Sequence, residues 1–463
     1  MTALDPQALA ERLVAGADGD DCAVVVRHDS TANLRWARNL LTTNGRTEST
    51  SVSLVAFVRT PTGVAAGTVT RTGPAAADVD SLWREARATA RESGDAEDAG
   101  PLVEGVAADP DWADSPAVTS ADALAGTADG LGEVLVRGRA DDVEQFGYAE
   151  HRLVTTYLAS SRGVRLRHVQ PEGRLEATAK SHGRTRSAWA GRATRWFDDV
   201  DPREVDEELR RGLSWQGRVV DVPPGRHTAL LTPSAVADLV IDLYWSAGLR
   251  DARDGRSVFS RPGGGTRLGD TLTPLPLLLH SDPGLPGMEC SPFEAVTSSS
   301  SMASVFDDGL PLGPTAWVHD GRLAALVGSR HEARAAGVPA TPGIGNLAMS
   351  LRGAHGSVDD LVARTERGLL VTCLWYNRLV DPQTLLLTGL TRDGVYLVDG
   401  GEVVGTVGNY RFNDSPVGML GRIADAGDTV RTLPREMADY VNRVAAPPLL
   451  VADFHFSTRS DAV

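Results

Sequence analysis

The chain has 463 residues, 42% of them apolar and 23% charged, an ordinary globular composition with length enough for two or three separate cores. Its net charge of −15 argues against a nucleic-acid partner or an anionic membrane surface, both of which recruit basic proteins. Cys22, Cys290 and Cys373 stand far apart and outside any CxxC pair, against a disulfide framework or a Cys-rich zinc site. The N-terminal MTALDPQALAERLVAG has early acids and no long apolar run, so it does not read as a signal peptide. No stretch approaches the roughly 20 apolar residues of a membrane span, and the expected location is the cytoplasm.

In chain order, residues 5–15 read as an amphipathic helix with Leu9 and Leu13 on one face. Residues 22–28, 32–39, 51–59 and 63–71 read as strands of an antiparallel sheet, with turns at Asn44-Gly45 and at Pro61-Thr62-Gly63. A helix is expected over 78–93, packing Val79, Leu82, Trp83 and Ala86, then an acidic, Pro- and Gly-rich connection over 94–116 and a helix over 120–138. Strands follow at 146–160, 163–169, 174–181 and 187–195, with a turn at Ser161-Arg162-Gly163, and a charged helix over 202–213. This first unit, residues 1–217, is expected to be an α/β domain with a largely antiparallel sheet, ending in a linker over 218–224.

The second unit, 218–463, is expected to be β-rich, like a barrel or sandwich, so that the whole chain is α+β. Its entry is a short strand over 228–231 and a central helix over 234–249, with Ser234 as a possible N-cap. That helix is apolar almost all round, which predicts burial on more than one side; its only charges before Arg250 are Asp238 and Asp242. Short strands are expected at 315–319, 323–327, 368–376, 384–391, 394–398 and 402–407, with a closing strand at 448–457 and helices near 358–367 and 415–425.

No catalytic constellation is visible. None of the ten histidines lies three to five residues from another, the spacing a helical metal site needs, and His331-Glu332 opens HEARAAG, which lacks a second His. Cys373 lies in the apolar run LLVTCLWY, where a free Cys is usually a small core residue. Cys290 sits in a loop beside Glu289 and Ser291, with no His fixed next to it. Thr297–Ser301 lacks a nucleophile elbow, and Gly263–Gly265 is not followed by a phosphate-loop Lys.

Several segments, in order, resemble the TldD/TldE (PmbA) family, the modulator-of-gyrase metallopeptidases. They are LRWARNLLTTNG at Leu34–Gly45, LASSRGV at Leu158–Val164, PGRHTALLTPSAVADLV from Pro224, GRSVFSR at Gly255–Arg261 and LHSDPGLPG at Leu279–Gly287. Gly345-Asn346, RGLLVT at Arg367–Thr372, LLLTGLTRDGVYLVDGGEVVGTVGN at Leu385–Asn409 and the closing PPLLVADFHFS continue the family's order, so the resemblance spans nearly the whole chain. TldD-like members carry HExxxH on the central helix and a Cys near the C-terminus, which hold a zinc. Here the two His positions fall at about Val240 and Trp245 and the Glu position at Ile241, and residues 431–449 contain no Cys. The resemblance therefore implies the TldE (PmbA) type: no catalytic residue, metal or cofactor in this chain, and a heterodimer with a TldD-like subunit whose zinc hydrolyses small or unfolded peptides, or matures a peptide-like natural product, in a closed chamber. Candidate chamber residues, in loops that keep the family's order, are Arg330, His331, Asn346, Trp375, Tyr376 and Asn377; each also reads as a locally satisfied loop residue. Two alternatives stay open. One is a stand-alone hydrolase using non-family residues, such as Cys290 with a distant His; the other is a non-enzymatic peptide-binding or regulatory homodimer.

Overall fold

The computed structural model describes residues 5–75 and 78–460. Met1–Leu4 of the N-terminal segment therefore lie outside the described residues. The chain is α+β, with one antiparallel sheet in the first half and two further sheets in the second. Among the described residues no helix is long and apolar enough to cross a membrane.

The first sheet has the order β3-β2-β1-β4-β5-β6, with β1 Asp21–Ala37, β2 Leu40–Arg59, β3 Val64–Thr72, β4 Glu144–Ser160, β5 Arg165–Ser181 and β6 Arg186–Thr194. Buried residues alternate with half-buried ones along most of β4 and β5, as they must where a sheet has one sealed face. The sealed face carries Val24, Val26, Leu34, Trp36, Ala149 and Leu175. Helices α1 (Pro6–Ala15) and α2 (Val79–Ser93) cover one end of it through Leu9, Leu13, Leu82 and Trp83. Helices α3 (Ala125–Ala140) and α4 (Pro202–Trp215) cover the other through Leu131, Leu135, Leu209 and Leu213. The opposite face turns toward the second half: Val25 packs with Phe293, and Ala23 and Phe57 pack with Val305 and Phe306.

In the second half, β7 (Gly225–Leu231) leads into α5 (Pro233–Trp245) and the short α6 (Leu249–Arg253). A six-stranded sheet, in spatial order, joins β10 (Arg322–Leu323), β9 (Thr315–His319), β8 (Leu277–Ser281), β11 (Leu347–Leu351), β20 (Val444–Ala446) and β19 (Val430–Thr432). A nine-stranded sheet runs from β13 (Leu374–Asp381) through β14 (Leu386–Thr391), β17 (Asn409–Asp414), β21 (Leu449–Ser460), β7, β12 (Arg367–Val371) and β15 (Val395–Asp399) to β16 (Glu402–Thr406), with β18 (Ile423–Ala426) beside β21. Both sheets are open, so among the described residues the expected barrel is not closed. One core holds α5 residues Val236, Leu239, Val240, Ile241 and Leu243 together with Leu279 and Val318 of one sheet and Leu231, Val371 and Phe454 of the other. The helix is apolar on nearly every side because it lies between them.

Several boundaries differ from expectation. The strands expected over 22–28 and 32–39 merge into one, β1, which ends at Ala37, and Asn44-Gly45 is no turn but lies inside β2, opposite Leu34 and Asn33. The hairpin turns at Arg38 and Asn39, whose φ of 52° and 62° match the twist of the flanking strands; Asn39 is fixed there by bonds to Val143 O and Gln145 N. Helix α5 starts at Pro233, its N-cap Thr232 rather than Ser234, whose hydroxyl donates to Leu433 O instead. It ends at Trp245, short of Leu249, because the backbones of Ala247 and Leu249 pair with Val327. Tertiary pairing there wins over helix propagation. The run 368–376 is broken into β12 and β13, while the helix near 415–425 shrinks to α9, Pro416–Leu420, followed by β18.

Candidate functional site

Helix α5 is where the resemblance puts a metal site. Val240 is 1% exposed and Ile241 fully buried, both in the shared core, so neither position meets solvent or carries a donor atom. Trp245 is 39% exposed and stacks edge-on against Tyr440, ring centroids 5.9 Å apart. These three side chains offer no donor atom to a zinc ion. Among the described residues no group of three or more His, Cys, Asp or Glu is placed to hold one.

The helix is nevertheless not bare of chemistry. Asp238 and Asp242, one turn apart, lie on the same side of α5 and meet Glu436. Asp238 is fully buried, and its Oδ1 accepts from the backbone N–H groups of Glu436 and Met437, both at 3.1 Å. Its Oδ2 has no partner, nor does Oδ2 of Asp242. Burial, with Glu436 adding to it, pushes the Asp242 carboxyl up to about 7; the same burial raises Asp238 well above the carboxylate range. Glu436 itself is satisfied, accepting from Arg378 at 3.0 Å and from the Tyr376 N–H at 2.9 Å.

Strand β13 brings three of the sequence candidates to this corner. Trp375 lies under two guanidinium groups, Arg435 at 5.2 Å and Arg392 at 6.0 Å. Tyr376 is 56% exposed, sits at φ 61° and stacks against Arg378 at 4.2 Å. Asn377 is only 5% exposed and faces Asp242, whose carboxyl it partly stabilises, although neither end of its amide makes a close, well-aligned hydrogen bond. The other three candidates lie elsewhere, and Arg330 and Asn346 are tied to other segments. Arg330 binds Asp307 at 2.6 Å and the carbonyls of Pro101 and Phe306 at the start of α7 (Arg330–Ala336). His331 is half-buried in that helix, 4.0 Å from Glu332. Asn346, 1% exposed, accepts from Asp282 N–H and donates to the carbonyls of Asp282 and Met288.

Behind Trp375 a cleft of about 560 Å³ opens between this corner and the second face of the first sheet, with Phe146, Tyr148 and Trp189 among its lining. Arg435 closes its floor. This guanidinium lies over Trp189 at 5.1 Å, pairs with the buried Asp393 at 2.5 Å and donates to Cys373 Sγ at 2.9 Å. Cys373 is fully buried and burial raises its thiol, as it does for Cys290, 4% exposed; neither is poised as a thiolate nucleophile. Sequence reasoning passed over Asp238, Asp242, Arg435 and Glu436 as site residues. The spacing of two acids one turn apart on an otherwise apolar helix was the available signal for the first pair.

Residues 224–458, about half of the chain, match the PmbA/TldA metallopeptidase C-terminal domain model. No curated protein matches. Solved structures with the same fold include a proposed modulator of DNA gyrase from Thermotoga maritima, at 17% identity and TM-score 0.77 over 97% of this chain and 99% of that one. TldE from Thermococcus kodakarensis aligns at 15% identity and TM-score 0.78 over 96% and 99%, and a proposed modulator of DNA gyrase from Bacteroides thetaiotaomicron at 14% and 0.77 over 98% of both chains. The fold is thus shared end to end, and with the matching domain the chain belongs to the TldD/PmbA family of metallopeptidase-like proteins.

Proposed function

We propose that this chain is a TldE-type accessory subunit that binds no metal itself and works in a cytoplasmic heterodimer with a TldD-like metallopeptidase subunit. The partner supplies the zinc, and the pair hydrolyses small or unfolded peptides or matures a peptide-like natural product. Residues 1–217 and 218–463 would be its two units. One observation carries the reading: the helix positions that hold ligands in TldD-like members are occupied here by Val240, Ile241 and Trp245, two of them sealed in the core. What this chain's own residues can do is orient and enclose. The Trp375–Asn377 strand and the cleft behind it would wall a chamber and position an extended peptide.

Co-expression with a TldD-like subunit tests the proposal. The two are expected to co-purify and to cleave peptide only together, and failure to associate refutes the accessory role. Metal analysis of this chain alone should find zinc far below one equivalent; a tightly bound zinc contacting α5 would overturn the assignment.

A further inference from the structure

We propose that the cleft between the first sheet and the Trp375 corner binds a short peptide with both termini free. The carboxylate is taken by Arg35, the ammonium by Glu176, and an apolar or aromatic side chain lies between Trp189 and Trp375. The inference rests on the peptide-processing reading for its choice of ligand, and on the register of the first sheet for its geometry.

Arg35 of β1 stands opposite Tyr148 of β4, which stands opposite Glu176 of β5, so the three form one cross-strand row. Two residues along, Phe146 faces Thr178, which faces Trp189 of β6. Period-two alternation puts both rows on the same face, away from the helix-covered core that holds Trp36, Leu175 and Ala177. Cleft and register therefore agree: a charged row and an aromatic row lie side by side on its sheet wall.

The charges of this face are almost all spoken for. Arg174 lies 3.7 Å from Glu150 and also pairs with Asp439, Arg152 pairs with Asp29, and Arg443 pairs with Glu172. Arg35 and Glu176 make no side-chain hydrogen bond or ion pair among the described residues; the cation nearest Glu176 is Arg174, two residues along the same face and already engaged by Glu150 and Asp439. Arg35 and Glu176 are opposite in sign and two strand spacings apart, about 10 Å. A tripeptide in extended form spans about 10 Å between its ends, so its zwitterion matches the pair in both sign and length. The cavity, about 560 Å³, is of the size of small-ligand sites, and its aromatic walls suit a flat or apolar side chain. Arg435, already engaged by Asp393 and Cys373, supports the tryptophans rather than the ligand.

The test uses the full chain alone, with Ala-Phe-Ala as probe, read by tryptophan fluorescence and calorimetry. C-terminal amidation is expected to weaken binding about fivefold, the scale of one partly exposed ion pair, and to have no effect in Arg35→Ala. N-terminal acetylation should do the same in the wild type and nothing in Glu176→Gln. Trp375→Ala should erase the preference for Ala-Phe-Ala over Ala-Gly-Ala. Blocked peptides that bind as tightly as free ones overturn the proposal, as does no binding up to about 10 mM, near the weakest affinity worth calling specific. The blocked-peptide arms need no variant, so a folding defect cannot mimic the result. Because no partner subunit is present, failure here is distinct from failure of the accessory role, which co-purification tests separately.

Discussion

Two buried asparagines, Asn346 and Asn377, show how differently this fold treats the same side chain. Asn346 sits below the loop between Asp282 and Met288 with its carbonyl and its amide both engaged by backbone. Asn377, on β13 beside α5, is nearly as buried yet makes no close hydrogen bond at either end, facing Asp242, which like Asp238 one turn away keeps one oxygen without a close partner. A satisfied buried amide is architecture; unsatisfied polar groups gathered in one place carry a cost that a stable fold does not otherwise need. The contrast separates the part of the second half that shapes a loop from the part that borders the cleft.

The sharpest way to break the contrast is Asn346→Ala. It removes three hydrogen bonds and strands buried backbone groups, so a loss of about 2–4 kcal/mol is expected in denaturant unfolding. A loss below about 0.5 kcal/mol would mean the loop does not depend on this amide. A smaller effect is expected in the pH dependence of stability. The folded-state pKa of Asp242, about 7, lies above its unfolded value, so the folded protein binds more protons between the two. That acid therefore lowers stability as pH rises from about 4 to 7, and its contribution is relieved as pH falls back through the folded pKa. Glu294, also pushed up to about 7 by burial and by Asp307, acts in the same direction. Thermal melts of wild type and Asp242→Asn should thus diverge toward pH 8, with the variant flatter and Glu294 leaving a residual slope. Parallel curves would place Asp242 in water.

The smallest effect is expected from Asn377→Leu. Replacing an unpaired amide by an apolar group of like size should leave stability unchanged or raise it by about 1 kcal/mol. A loss of about 2 kcal/mol or more would show that Asn377 is hydrogen-bonded after all, and the two asparagines would then be alike.

Much of the fold was legible in the chain itself. Alternation marked the strands of the first sheet, and the uniform apolarity of α5 announced a helix buried on several sides. The ordered family segments gave the family. These are properties of spacing along the chain, and helical and strand periods are local. Candidates adjacent in sequence, Trp375 to Asn377, stayed together because one strand carries them.

What only the tertiary structure decided is which distant polar groups meet. Asp238 finds Glu436 from 198 residues away, and Cys373 finds Arg435 from 62. Arg35 and Glu176 share a row only because β4 sits between β1 and β5 in register. Arg330 and Asn346, which looked no different from Asn377 in the sequence, turned out to be fully bound by other segments, Arg330 by Asp307 and Pro101 and Asn346 by Asp282 and Met288. Local periodicity says which face a residue occupies. Strand order, register and the packing of one half on the other decide what that face meets, and therefore which groups are satisfied and which are left to bind something else.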